Sequence, residues 1–531
     1  MSPLDANAAV PPPNPPEPRV TQALAEAQAR AFPGDPGALM GLGHARRLAG
    51  DQVGAVTAFR RAAAMADLAG AAAPLRSRIL ANLALAHLDR SEDQTALDVA
   101  RQAIGLDGNC AVAQLNAGVA LYRLGEPEAQ AHLERAIALD PNDPAPRNTL
   151  GLLHHRAGKS KEAEALIRAS LARMPGGTAD AAPVQANLGR VLRAQGRLEE
   201  AYASFDLASR LAPSVAEHRF NRAVIRLLQG RLEEAWDDHE ARRDMAEYGR
   251  EPSLPIPTWT GGPVEGKRIL LRAEQGLGDT IQFVRYATLL ADRGAIVSLG
   301  APTPLLRVLG TVPGLAAVLP DGATLPQFDL QAMLLSLPWC CRTGLDRVPA
   351  RVPYLHAEKD LITAWRGRLA ELKGLRFGLV WAGNPKHKND RNRSIDPGLL
   401  HRLAGVQGVS WVSLQVGPRG AEAAGSAIGH ALFDATAELT DFAETAALLQ
   451  VLDGVVSVDT SVAHLAGAMG RPVSLLLPWD PDWRWMWEGD RSPWYPTLRI
   501  YRQERPRDWA APISRLATDL AAQAKGRSRH A

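Results

Sequence analysis

The stretch Val455–Pro472 reads VVSVDTSVAHLAGAMGRP, and its pattern changes at Asp459. Before that residue the run is apolar or small, as in a buried parallel strand. After it, apolar residues recur at helical spacing. Thr460, Ser461, His464 and Gly467 then fall on or near the first two turns of a helix. A strand that stops at Asp-Thr-Ser and opens a helix leaves unpaired backbone N–H groups pointing outward, and these attract anions, phosphate above all. In open α/β sheets ligands bind at this carboxyl edge. The C-terminal half is therefore expected to handle a phosphorylated small molecule.

Strand–helix alternation surrounds this element. Strand-like runs lie at 268–274, 295–301, 329–337, 376–383, 409–417, 455–459 and 472–478, with helical runs between them. Such alternation implies parallel sheets covered on both faces. Two strand-to-loop openings stand out, AEQGLGDTIQFVRYA at 273–287 and DTSVAHLAG at 459–467. They belong to strand groups separated near Leu375, which implies two α/β lobes over a cleft. Eleven of the 12 tryptophans follow the repeat array, and five crowd after the last run, at 479, 483, 485, 487 and 494. Their rings suit sugar contact and plain packing equally.

The first half repeats at about 34 residues. Small residues at 43, 84, 118, 151, 189 and 223 mark a tight-packing point, and a turn glycine follows seven positions later at 50, 125, 158, 196 and 230. The next helix brings Ala55 with Phe59, Ala163 with Ile167, and Ala201 with Phe205. This pattern resembles the tetratricopeptide repeat, in about six copies. Each helical pair is too small to bury its own apolar face, so neighbours stack into one core with a concave groove. Peptide or protein recognition is the functional reading of such a groove; a spacer or dimerisation surface is the other.

The resulting division is a Pro-rich lead at 1–20, a repeat array at 21–245, a Pro/Gly-rich linker at 246–266, and lobes at 267–372 and 373–525. At 531 residues and a formal net charge of +3, the chain gives no reason to expect nucleic acid or a membrane surface as partner. It has no apolar run of about 18 residues that would span a bilayer. Cysteines 110, 340 and 341 form neither a disulfide framework nor a zinc site. A cytoplasmic location is expected.

GLGDTIQFVRYA, WAGNPKHKNDRNRSI and VDTSVAHLAGAMGRP, in that order, resemble a GT-B glycosyltransferase of the heptosyltransferase-like group. The resemblance covers roughly 267–525 and implies an α-solenoid followed by two Rossmann-type lobes that use a nucleotide-sugar donor. Fusion to tetratricopeptide repeats is similar to bacterial protein glycosyltransferases, among them flagellin-modifying enzymes with sialic-acid-like sugars. A protein acceptor held by the repeats, attached through Ser or Thr, is what the resemblance implies; a lipopolysaccharide or other carbohydrate acceptor fits the α/β half alone. The lobe at 267–372 is short for this fold, so part of its acceptor surface is expected to come from the repeats.

Candidate site residues follow. Gly276 and Gly278 let the backbone of the turn pass close to a ligand. The resemblance places the catalytic base at Asp279, which would remove the acceptor hydroxyl proton; its alternative role is to cap the helix that follows. Glu274 is the substitute. In Asn384–Ser394, fixed cations would support the leaving phosphate, with Lys388 and Arg391 preferred among Lys386, His387 and Arg393, and Asn384 would bond the donor. A solvated basic loop is the alternative. Gln415 would read nucleobase or ribose, or close a strand end. Asp459 would accept donor hydroxyls, Thr460 and Ser461 would meet phosphate, and His464 would touch the donor or satisfy local structure. Asp480-Pro481-Asp482 spells a DxD, but its place after the last strand sets it aside, and no metal or other cofactor is expected. A dinucleotide-dependent oxidoreductase is disfavoured because the 274–280 turn lacks G-x-G-x-x-G. The competing class is a non-catalytic adaptor that senses a nucleotide sugar.

Overall fold

The computed structural model describes residues 18–248, 254–387 and 389–528. Most of the Pro-rich lead, part of the linker and the candidate Lys388 lie outside these residues. The chain forms two compact units, divided between Val191 and Leu192.

The first unit is a stack of antiparallel helix pairs. After Pro18–Ala31 come Pro36–Leu48 with Gln52–Leu68, Ala73–Asp89 with Asp93–Leu106, Ala111–Leu124 with Ala129–Leu139, and Ala145–Arg156 with Ser160–Leu171. The expected tight-packing residues explain the pairing. A Cβ on Gly118 would lie 2.7 Å from Leu133 Cγ, so only glycine lets these helices approach so closely. The turn glycines take left-handed φ values, 84° at Gly125 for instance, and Ser91 fills the same place in its repeat at φ 60°. Asparagines tie successive pairs: Asn116 donates to the Ala81 carbonyl at 2.8 Å, and Asn187 to Asn148 Oδ1 at 2.9 Å.

The second unit begins inside the helix Ala182–Ala194 and keeps the repeat helices Leu198–Leu211, Ala216–Leu228 and Leu232–His239. These pack on the α/β part through polar bonds that burial makes costly to lose. Arg242, fully buried, pairs with Glu274 at 2.9 Å and with Glu240, and donates to Ser336 at 2.8 Å. Trp236 Nε1 donates to the Thr343 carbonyl at 2.7 Å. The sequence puts the end of the repeat array at 245; the second compact unit takes in the last repeats, from Leu192, which these buried pairs join to the first lobe.

Two parallel sheets follow. The first lobe holds β1 (Arg268–Arg272), β2 (Ile296–Ala301), β3 (Leu315–Pro320) and β4 (Leu330–Met333) in the order β3-β2-β1-β4. The second holds β5 (Leu375–Val380), β6 (Val409–Ser413), β7 (Leu432–Asp434), β8 (Gly454–Ser457), β9 (Val473–Leu477) and β10 (Leu498–Arg502) in the order β10-β9-β8-β5-β6-β7. All seven expected strands are present, and β3, β7 and β10 are additional. Phe377, Leu379 and Trp411 form the second lobe's core with Trp509 and, from the C-terminal helix Ala510–Ser528, Ile513 and Leu516. In each sheet the chain leaves the central strand in one direction and later returns on its other side. The resulting switch points lie at β1/β4 and β5/β8, where doubly wound sheets open a ligand crevice. Among the described residues no helix is long and apolar enough to cross a membrane.

Candidate active site

Both motif turns sit at these switch points. The first leaves β1 through Gln275, at a left-handed φ of 61°, and enters the helix Leu277–Phe283. The second leaves β8 and enters Ser461–Ala468 with Thr460 as its N-cap residue. The two helices touch: a Cβ on Gly278 would lie 2.9 Å from His464 Cδ2 and 3.6 Å from Ser461 Cα. The openings thus meet at one point between the lobes.

Asp279 stands at that point. Its Oδ2 accepts the Gly276 N–H at 2.9 Å, and its Oδ1 pairs with Arg484. It therefore occupies the third helical position and reaches back to the helix start, so the capping alternative is present in the geometry. Each carboxylate oxygen keeps a further lone-pair site. Glu274 has a different place: both its oxygens bond Arg242, and Oε1 also accepts the Leu335 N–H at 3.0 Å. That carboxylate ties the last repeats to the first lobe.

On the second lobe, Asp459 lies 3.9 Å from His464 Nε2, with its side chain 16% exposed. Burial pushes its carboxyl up to about 6, and the Asp482 charge adds to this, against Arg393. His464 donates or accepts at Tyr495 OH, 2.9 Å away, and stacks on Trp485. Burial, with Arg484 nearby, pushes its imidazole down to about 3, so it stays neutral at ordinary pH. The Thr460 hydroxyl bonds Ser457 Oγ at 3.0 Å and makes no cap bond. The first N–H groups of Ser461–Ala468 are thus left without a side-chain cap.

The loop Asn384–Ser394 approaches the same place. Arg393, mostly buried, donates to the Asp459 carbonyl at 3.1 Å. His387 is pushed down by burial and by Arg393, while Asp482, Asp390 and Asp279 act on it in the opposite sense. Lys386, Arg391 and Asn384 are exposed, and Asn384 Oδ1 accepts the Lys386 N–H at 3.0 Å. Gln415 is buried and closes the end of β5: its Oε1 accepts the N–H groups of Trp381 at 3.1 Å and Ala382 at 2.9 Å. Of its two sequence readings, the geometry matches the strand-end amide.

Sequence reasoning set Asp480-Pro481-Asp482 aside, and the structure separates its two carboxylates. Asp480 pairs with Arg193 at 2.8 Å, outside the cleft. Asp482 accepts from Arg484 Nη1 at 2.9 Å and so joins Asp279 and Asp459 around one guanidinium. Burial works against that guanidinium's charge, but Asp279 and Asp482 outweigh it and hold it ionised. The aromatic cluster is a packing device: Trp479 Nε1 donates to Ala194 O at 2.8 Å, Trp487 N to Leu228 O at 2.8 Å, and Trp483 meets Trp236 edge-on. Among the described residues no group of His, Cys, Asp and Glu could hold a metal ion.

The model of glycosyltransferase family 9 (heptosyltransferase) matches residues 424–481, which run from before β7 through β8, the Ser461–Ala468 helix and β9. A tetratricopeptide repeat model matches 82–144, 115–178 and 180–242. The chain carries tetratricopeptide repeats and a glycosyltransferase family 9 domain. The family 9 match supports glycosyltransferase activity. Protein FlbA of Caulobacter vibrioides is 27% identical over 443 residues, 77% of this chain and 71% of that protein. Among solved structures, a chain of the APC/C hetero-tetramer Cut9-Hcn1 is 17% identical with a TM-score of 0.39, over 44% of this chain and 44% of that one. TTC0263, a tetratricopeptide repeat protein of Thermus thermophilus, is 24% identical with a TM-score of 0.31, over 36% of this chain and 99% of that one.

Proposed function

We propose that the chain is a metal-independent, inverting glycosyltransferase. It moves a sugar from a nucleotide-sugar donor to Ser or Thr of a protein acceptor held by the repeats, and acts in the cytoplasm. The observation that carries this reading is the meeting of Asp279, from the first lobe, with Asp459, Arg393 and His387, from the second, where the two motif turns touch.

In the reaction, Asp279 takes the proton of the acceptor hydroxyl as its oxygen attacks the anomeric carbon. The bond from that carbon to the donor phosphate breaks in the same displacement, and the phosphate oxygen leaves with the electron pair. A single displacement inverts the anomeric centre. Negative charge gathers on the leaving phosphate, where the cations of 384–394 and the N–H groups at Thr460–Ser461 offset it without a proton transfer. Asp459 accepts hydroxyls of the sugar or ribose. Resemblance to flagellin-modifying enzymes makes flagellin and a sialic-acid-like sugar the specific candidates.

Intact-mass spectrometry of flagellar and secreted proteins tests this, comparing cells that carry the native chain with cells that carry Asp279→Ala. A mass increment lost in the variant supports protein glycosylation, and its size separates a hexose from a nonulosonate. Identical masses on every protein, with a changed lipopolysaccharide, would move the acceptor to carbohydrate.

A further inference from the structure

Residues Asp482–Arg484 lie just past the stretch matched by the family 9 model and belong to neither motif turn. Arg484 nevertheless sits where the two lobes meet, its side chain 9% exposed. One Nη pairs with Asp279 Oδ1; the other lies 2.9 Å from Asp482 Oδ1. The same Asp482 oxygen accepts the Arg484 backbone N–H at 3.0 Å, so one carboxylate fixes both the main chain and the side chain of this arginine. The guanidinium lies 4.5 Å from the Trp483 ring centre and 5.6 Å from that of Phe283. A planar fork between two carboxylates sets direction as well as charge, which a lysine ammonium does not. Asp279 belongs to the β1 lobe and Arg484 to the segment after β9, so the bond crosses between the lobes.

We propose that Arg484 is a positioning residue for glycosyl transfer: it orients the Asp279 carboxylate from across the cleft, so that the base is aligned only while the lobes are together. This rests on the reading of Asp279 as the base. With Gly276 N–H on Oδ2 and Arg484 on Oδ1, the carboxylate cannot rotate about its terminal bond, and its free lone pairs keep one direction. Releasing that restraint leaves the charge of Asp279 in place and loses its alignment, and a misplacement of about 1 Å costs on the order of 100-fold in rate.

The test uses the purified full chain added to an extract of cells that lack the gene, which supplies donor and acceptor, with the initial rate read as protein mass increment. Arg484→Ala is expected to be slower by roughly 100-fold, and millimolar guanidinium should restore part of the rate where equal sodium chloride does not. Arg484→Lys should fold as the parent does and fall in between. Rescue by guanidinium is a readout that a merely structural arginine would not give. Parent-like rates in Arg484→Ala overturn the inference, as does a fully active Arg484→Lys, which would leave charge without direction. Should Arg484→Ala fail to fold, the lysine variant decides by the same criterion. An inactive parent chain would instead overturn the proposed function, and this inference with it.

Discussion

Gly278 faces the imidazole of His464 with no room for a side chain: an added Cβ would stand 2.9 Å from His464 Cδ2. His464 cannot yield easily, being bonded to Tyr495 and stacked on Trp485. Gly278→Ala should therefore separate the two motif turns while leaving each sheet intact. Transfer is expected to fall by roughly 100-fold, with misplacement as the cause. The melting temperature should drop by an amount equivalent to about 1–3 kcal/mol of overpacking. A variant with parent activity would show that the contact is slack.

Two carboxylates near the first turn have opposite fates. Asp279→Asn keeps the shape and can still accept the Gly276 N–H, but it removes the base and turns an amide NH2 toward Arg484, so transfer should fall by about 100-fold or more, with nucleotide binding, read by calorimetry, kept. Glu274→Gln leaves Arg242 buried beside a neutral amide, and its cost of about 3–5 kcal/mol should appear in stability, read by denaturant unfolding. Activity per folded molecule should stay near parent level.

Asp459 gives a pH signature. Its carboxyl titrates near 6 in the folded chain, against 3.8 as its ordinary value. The folded state therefore holds a proton that the unfolded state has released, and stability falls as pH rises between these values and stays lower above 6. Asp459→Asn removes that cost. It should be more stable than the parent at pH 8 by about 1–3 kcal/mol, and the advantage should fade below pH 4. His464, pushed down to about 3, acts the other way: its contribution is complete above the ordinary value of 6.5 and is lost as pH falls toward 3. Unfolding curves of parent and variant at pH 4, 6 and 8 read the difference directly.

A chain begun at Thr178 keeps the repeat residues Arg193, Ala194, Trp236 and Arg242, whose bonds to the α/β part are described above. It is expected to unfold in one cooperative step and to bind nucleotide, yet to lose modification of the protein acceptor. A chain begun at residue 246 lacks Trp236 and Arg242 and leaves Glu274 buried without its partner. That chain should aggregate or melt well below the longer one. Equal melting temperatures for the two would show that the last repeats are dispensable to the fold.

The repeat array and both motif turns were legible because their signals are local: spacing of small residues, glycines in tight turns, and a strand running into a helix. Ser91 was hidden because only its backbone, not its residue type, marks the turn. The strands β3 and β10 lie at sheet edges and β7 is short, so none of them shows a long buried run. What sequence could not show was long-range pairing. Nothing local links Arg242 to Glu274 or Arg484 to Asp279, and the DxD at 480–482 looked like a unit although its two aspartates point to different partners. Gln415 reads equally well as a ligand contact and as a strand-end amide until its bonds to Trp381 and Ala382 are seen.

The tryptophan-rich segment after β9 carries two unrelated duties a few residues apart: Trp479 and Trp487 grip the repeat helices, and Arg484 meets Asp279. Natural selection on one duty therefore drags the other along. Relatives that keep the α/β half without repeats would have polar residues at 479 and 487, since nothing there would cover an indole. Drift at those two positions should track the presence of the repeats across genomes, while 482 and 484 should track the aspartate at 279.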